Sequence, residues 1–125
     1  MLSFRTLSFA CALLSAPLLV AQQDSCTATV ATVHEHVGQI ITICGTPSQV
    51  SAPAKVKGDP VYLNFGGTYP NHTFTVIIWD DVHKGKREKL VKRYTDKSLR
   101  IKGWVKTRDG KPEITVKTLE DIEVE

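Results

Sequence analysis

Residues 98–118 read SLRIKGWVKTRDGKPEITVKT, two alternating runs on either side of Arg108-Asp109-Gly110. Asp-Gly between such runs signals a β-hairpin with a two-residue turn, because both central positions of that turn need positive φ. In the first run Leu99, Ile101, Gly103 and Val105 share one face, and Arg100, Lys102, Trp104 and Lys106 share the other. Side chains alternate strictly along a strand, so the tryptophan lies on a surface with three cations unless a bulge intervenes. The stretch predicts two paired strands and leaves a choice for Trp104. It is either an aromatic platform on a basic face, or a ring packed under a helix or tail with lysine stems across it.

Short strands between turn residues recur from Gln39 onward, as in small all-β domains. In QIITICGTPSQVS (39–51), Ile41 and Ile43 oppose Ile40, Thr42 and Cys44, and Gly45 predicts a bulge or bend. The loop SAPAKVKGDP (51–60) leads to VYLNFGG (61–67), where Val61, Leu63 and Phe65 face away from Tyr62 and Asn64. After the turn TYPN (68–71), the run HTFTVIIWD (72–80) has Phe74, Val76 and Ile78 opposed by Thr73, Thr75, Ile77 and Trp79. The alternation then stops. Leu90, Val91 and Tyr94 fall at helical spacing, which predicts a short helix over residues 86–94. Near the C-terminus Leu119, Ile122 and Val124 are available to cover the core, and ATVATVHEHVG within the N-terminal segment 22–38 suits a short helix that caps one end. Three strands, a helix and a hairpin predict an all-β fold over residues 39–125: a five-stranded Greek-key OB-fold barrel with its helix between strands 3 and 4. A small sandwich or an SH3-like barrel would share that order of elements.

The first residues are set apart. MLSFR followed by the largely apolar LSFACALLSAPLLVA (7–21) has the pattern of a secretory signal peptide over residues 1–21, cut after Ala21. A membrane anchor is the competing reading, but Ser15 and Pro17 interrupt a run already shorter than the ~20 residues of a spanning helix. The expectation is an exported protein, periplasmic or secreted. Its remaining cysteines, Cys26 and Cys44, form an even pair in an oxidising compartment and are expected to be bonded. Such a bond is worth about 3 kcal/mol in the chain-entropy picture; two free thiols are the alternative.

Charge is uneven along the chain. From Lys84 to Lys111 twelve Lys or Arg stand against Glu88, Asp96 and Asp109, whereas after Pro112 five acids stand against Lys117 alone. A basic block on an exported domain suits an anionic partner such as single-stranded nucleic acid or another anionic polymer. The bland alternative is a solvated surface neutralised by the acidic tail.

Three stretches carry a family resemblance. HVGQIITICGTPSQV (36–50) resembles the opening strand of OB domains of the tRNA-anticodon-binding type, and SLRIKGWVKTRDGKPEITVKTLEDIEV (98–124) resembles their closing hairpin. VYLNFGGTYPNHTFTVIIWD (61–80) is similar to a segment of small exported bacterial OB-fold proteins described as nucleic-acid binding. The resemblance implies the fold more directly than any ligand, because this fold hosts many.

The expected binding face follows from both readings. OB-folds commonly bind across strands 2 and 3 and their loops, which here present Tyr62, Asn64, Thr73, Thr75 and Trp79. Arg100, Lys102, Trp104 and Lys106 add cations and a ring of the kind that tracks phosphates and stacks bases. Trp79, beside Ile77, is the ring more inclined to be core. The cluster Lys84, Lys86, Arg87, Lys89, Lys92 and Arg93 reads as a solvated helix face sooner than as a phosphate site. His34 and His36 form a lone His-x-His pair with no third ligand nearby, so no metal site and no cofactor are expected. Asn71-His72-Thr73 is a glycosylation sequon, relevant only in a eukaryotic secretory pathway. No nucleophile elbow or phosphate-cradling glycine loop is present, and Asp80-Asp81 is the sole acidic pair beside basic residues that a nuclease-like reading could use. The sequence thus favours a non-catalytic exported OB-fold protein binding nucleic acid. An envelope or stress-related protein binding a polypeptide or small molecule is the runner-up, and a secreted nuclease-like protein comes third.

Overall fold

The computed structural model describes residues 25–125, together with Ser3 and residues 10–15. The expected cleavage point after Ala21 and most of the 1–21 segment lie outside the described residues. The elements are β1 (Ala28–Thr29), β2 (Ile40–Gly45), β3 (Gln49–Ser51), β4 (Val61–Phe65), β5 (Phe74–Ile78), α1 (Asp80–His83), α2 (Arg87–Tyr94), β6 (Leu99–Arg108), β7 (Lys111–Thr115) and β8 (Ile122–Val124). A 3-10 turn over Val33–His36 takes the place of the expected N-terminal helix, and another spans Leu119–Asp121.

The fold is mostly β. One eight-stranded sheet runs in the order β1-β2-β6-β7-β5-β4-β3, with β8 beside β6. It departs from the expected five strands in two ways, and the hydrogen-bonded path does not close into a barrel. The two- and three-residue strands β1 and β8 are added at β2 and β6. The expected first strand is also split after Gly45, where Pro47 has no N–H to donate to a ladder. Both local predictions around the hairpin hold. Arg108 pairs with Lys111 across a two-residue turn, and Asp109 and Gly110 have φ of 51° and 77°. Glycine serves a different purpose at 103, where a Cβ would run into Cγ2 of buried Ile114.

The core lies on one side of this curved sheet. Ile41, Ile43, Val61, Leu63, Phe65, Phe74, Val76, Ile78, Leu99, Ile101, Val105 and Ile114 are all buried, each on the face its alternation predicts. The Phe65 and Phe74 rings meet at 5.3 Å between centroids. Full burial of one such side chain contributes roughly 1.5–3 kcal/mol. The amphipathic α2 buries Leu90 and Tyr94 against this core and half-buries Val91. Of the tail residues, Ile122 is buried and Leu119 packs on the core, but Val124 is exposed. Cys26 and Cys44 form a disulfide that ties the N-terminal segment to β2, with Cα atoms 5.6 Å apart.

Candidate functional site

The outer face of β6 collects Lys102, Trp104 and Lys106, because the intervening residues point inward. Trp104 is not core: 47 % of it is exposed, and its cross-strand partner Ile40 is 71 % exposed. Lys106 Nζ sits over the indole at 4.5 Å from the ring centroid. These residues wall an open groove of about 210 Å³, with Thr115, Lys117 and Asp121 on its far side. Gly103 lines the groove between Lys102 and Trp104. Three ammonium groups and one carboxylate therefore surround an apolar wall. An exposed cation–π contact is worth about 0.5–1 kcal/mol, whereas a stacked base is worth about 1–3 kcal/mol.

The other expected site residues divide into distinct places. Arg100 is held by Glu123 Oε2 at 3.3 Å and Glu125 Oε1 at 3.0 Å, so the acidic tail already uses its charge. Asn64 and Thr75 are buried: Thr75 Oγ1 donates to Asn64 Oδ1 at 2.8 Å, and Asn64 Nδ2 donates to Gln49 Oε1 at 3.2 Å. Thr73 is exposed, and its hydroxyl reaches Phe65 O at 3.4 Å. Trp79 is half-buried against Gly58, whose carbonyl accepts from Asp80 N–H at 3.1 Å. Tyr62 is half-buried in a row that runs across the sheet from Trp104. Thr115 on the groove's far side pairs with Ile77, and Ile77 pairs with Tyr62. Three strand spacings of ~4.8 Å put Tyr62 about 14 Å from Trp104 along this row.

Arg87, part of the basic helix cluster, belongs to the scaffold. Its guanidinium meets Asp59 Oδ1 at 2.6 Å and donates to the carbonyls of Ala52 and Pro53 at 2.6 and 3.0 Å, fixing the 51–60 loop on α2. Asp80 and Asp81 are exposed in the first turn of α1. His34 is exposed, and His36 Nδ1 lies 2.9 Å from Gln39 Oε1. Among the described residues the one metal-ligand-like grouping is Cys26, Cys44 and Glu125, and both its sulfurs are spent in the disulfide.

A further aromatic stands out in the β4–β5 connection. Tyr69 is 73 % exposed and stacks on His72, with 5.9 Å between centroids. The loop beneath is pinned: Gly67 N–H donates to Ser48 Oγ, Tyr69 N–H to Gln49 Oε1, and Lys111 Nζ to Pro70 O at 2.7 Å. TYPN marked a turn in the sequence, but a turn signal does not say whether its ring is exposed. Burial and then the Lys111 charge hold the His72 imidazole below its ordinary value of 6.5. The folded ring binds a proton less readily than the unfolded one. This site therefore favours the fold above pH 6.5, and that contribution is lost as pH falls through the folded value. Lys111→Met should raise the His72 midpoint, read from its imidazole proton shifts by NMR; an unchanged midpoint would remove Lys111 as a cause.

No family model matches the chain, and no curated protein matches it. Among solved structures it is similar to a protein from Leishmania major Friedlin assigned as an aspartyl-tRNA synthetase, with a TM-score of 0.53 and 14 % identity. The match covers 87 % of this chain and 22 % of that one. The likeness is one of fold. No helix among the described residues is long and apolar enough to cross a membrane.

Proposed function

We propose that the chain is an exported, non-catalytic OB-fold protein that binds single-stranded nucleic acid on the outer face of β6. In the barrel reading, β2 and β3 are halves of one strand bent at residues 45–48. That strand pairs β6 through its first half and β4 through its second, which returns the strand path to its start. The parallel pairing of β5 with β7, and α2 between β5 and β6, agree with the Greek key of this fold. The likeness to part of a tRNA synthetase supports both the fold and a nucleic-acid ligand. Export rests on the leader pattern of residues 1–21 and agrees with the disulfide.

The observation that carries the ligand is the half-exposed Trp104 between Lys102 and Lys106. A ring that every base can stack on, beside cations that need only a phosphate, gives sequence-tolerant binding of single strands. Titration of fluorescently labelled oligo-dT, followed by anisotropy at several salt concentrations, tests it. Affinity should fall steeply with salt, and the double variant Lys102→Ala/Lys106→Ala should reduce the log–log slope by about 1.4. Trp104→Ala should cost about 1–3 kcal/mol of binding and leave the Tm unchanged. No binding even at low salt would sink the reading, and a collapsed Tm would make the ring structural.

A further inference from the structure

Building on that nucleic-acid reading, we infer that Tyr69 is a second base-stacking station and that the bound strand runs lengthwise along β6 toward the hairpin tip instead of crossing β4 and β5. The surface across β4 and β5 is poorly suited to a strand, because Asn64 and Thr75 spend their polar groups on each other and on Gln49. The edge along β6 is better suited. Lys106 and Arg108 follow Trp104 at every second position and so share its face, and Arg108 pairs with Lys111 across the turn. Four residues of strand carry this line about 14 Å from Trp104. Lys111 then touches the carbonyl of Pro70, the residue after Tyr69.

The two rings thus stand at the ends of one cationic edge, and the site sizes of OB-folds begin at about four nucleotides. The Tyr69 platform is preorganised, since its loop is hydrogen-bonded to Ser48, Gln49 and Lys111, and little order remains to be imposed on binding. Two opposing charges lie on the way, Asp109 exposed in the turn and Glu113 on β7. Glu113 pairs with Lys106 and has its carboxyl 3.8 Å from Arg108, but its side chain is only 15 % exposed. A phosphate above it meets the outer cations first.

Oligo-dT of two, four and eight nucleotides, titrated into the wild type and into Tyr69→Ala, Tyr69→Phe and Trp104→Ala, separates the stations. For the wild type, affinity should climb from dT2 to dT8. Tyr69→Ala should lose roughly 5- to 150-fold on dT8, the worth of one stacked base, and stay close to wild type on dT2. Tyr69→Phe should keep the wild-type response, and Trp104→Ala should weaken every length. Undiminished dT8 binding by Tyr69→Ala overturns the second station while leaving the Trp104 site standing. Failure of every oligonucleotide to bind the wild type overturns both. Because Tyr69 is 73 % exposed, its variants should melt with the wild type, and a lowered Tm would count against a ligand role.

Discussion

Gly103→Ala should lower the melting temperature by about 5–20 °C and weaken oligonucleotide binding in the same protein. The added methyl has no room: it points from the inward face of β6 into Cγ2 of Ile114, which is fully buried on the adjoining strand. Overpacking of this kind costs about 1–3 kcal/mol, and in a domain of this size each kcal/mol moves Tm by about 4–8 °C. Relief requires β6 to lift from β7, and that shift reaches the residues on either side, Lys102 and Trp104. Stability and binding should therefore fall together, whereas Trp104→Ala removes binding alone. An unchanged Tm would mean that Ile114 can retreat and that the two strands are less closely packed there.

Removing the disulfide should have an effect of similar size by a different route. Cys26→Ser with Cys44→Ser opens a loop with a sequence separation of 18 residues. For such a loop the entropy returned to the unfolded chain amounts to about 3 kcal/mol. Urea unfolding should show a lower midpoint, and a reducing agent should bring the wild type to the same value without affecting the variant. Oligonucleotide binding at low temperature should survive, because the bond ties β2 to the N-terminal segment at a distance from Trp104 in sequence and in the sheet. Equal stability of the variant and the wild type would leave the bond without a structural role.

The hairpin was the most legible part of the chain, since Asp109-Gly110 sets its turn and Leu99, Ile101 and Val105 set its inward face. The same alternation put Trp104 among the cations but left open whether a helix or tail covers its ring; only the fold shows it exposed. Other features were hidden for physical reasons. Alternation places Asn64 and Thr75 opposite the core, but it does not reveal that a partner amide from Gln49 waits there. Arg100 reads as a free cation until residues 122–124 fold back and pair with β6. The strands β1 and β8 are too short to carry a period. α1 was missed because four residues following Trp79 hold barely one turn. Lys111 and Pro70, forty-one positions apart, meet only through the fold.

The hydrogen-bonded chain Thr75–Asn64–Gln49 has a consequence for folding fidelity. It links one residue on each of β5, β4 and β3, and the last of these is only three residues long. So short a strand has little apolar pattern with which to choose its alignment. Sliding it by one residue would turn Gln49 away and strand the Asn64 amide without its acceptor, and an unpaired buried polar group costs about 1–3 kcal/mol. Those polar side chains act as a key for strand alignment. They reject the neighbouring registers more strongly than they stabilise the correct one.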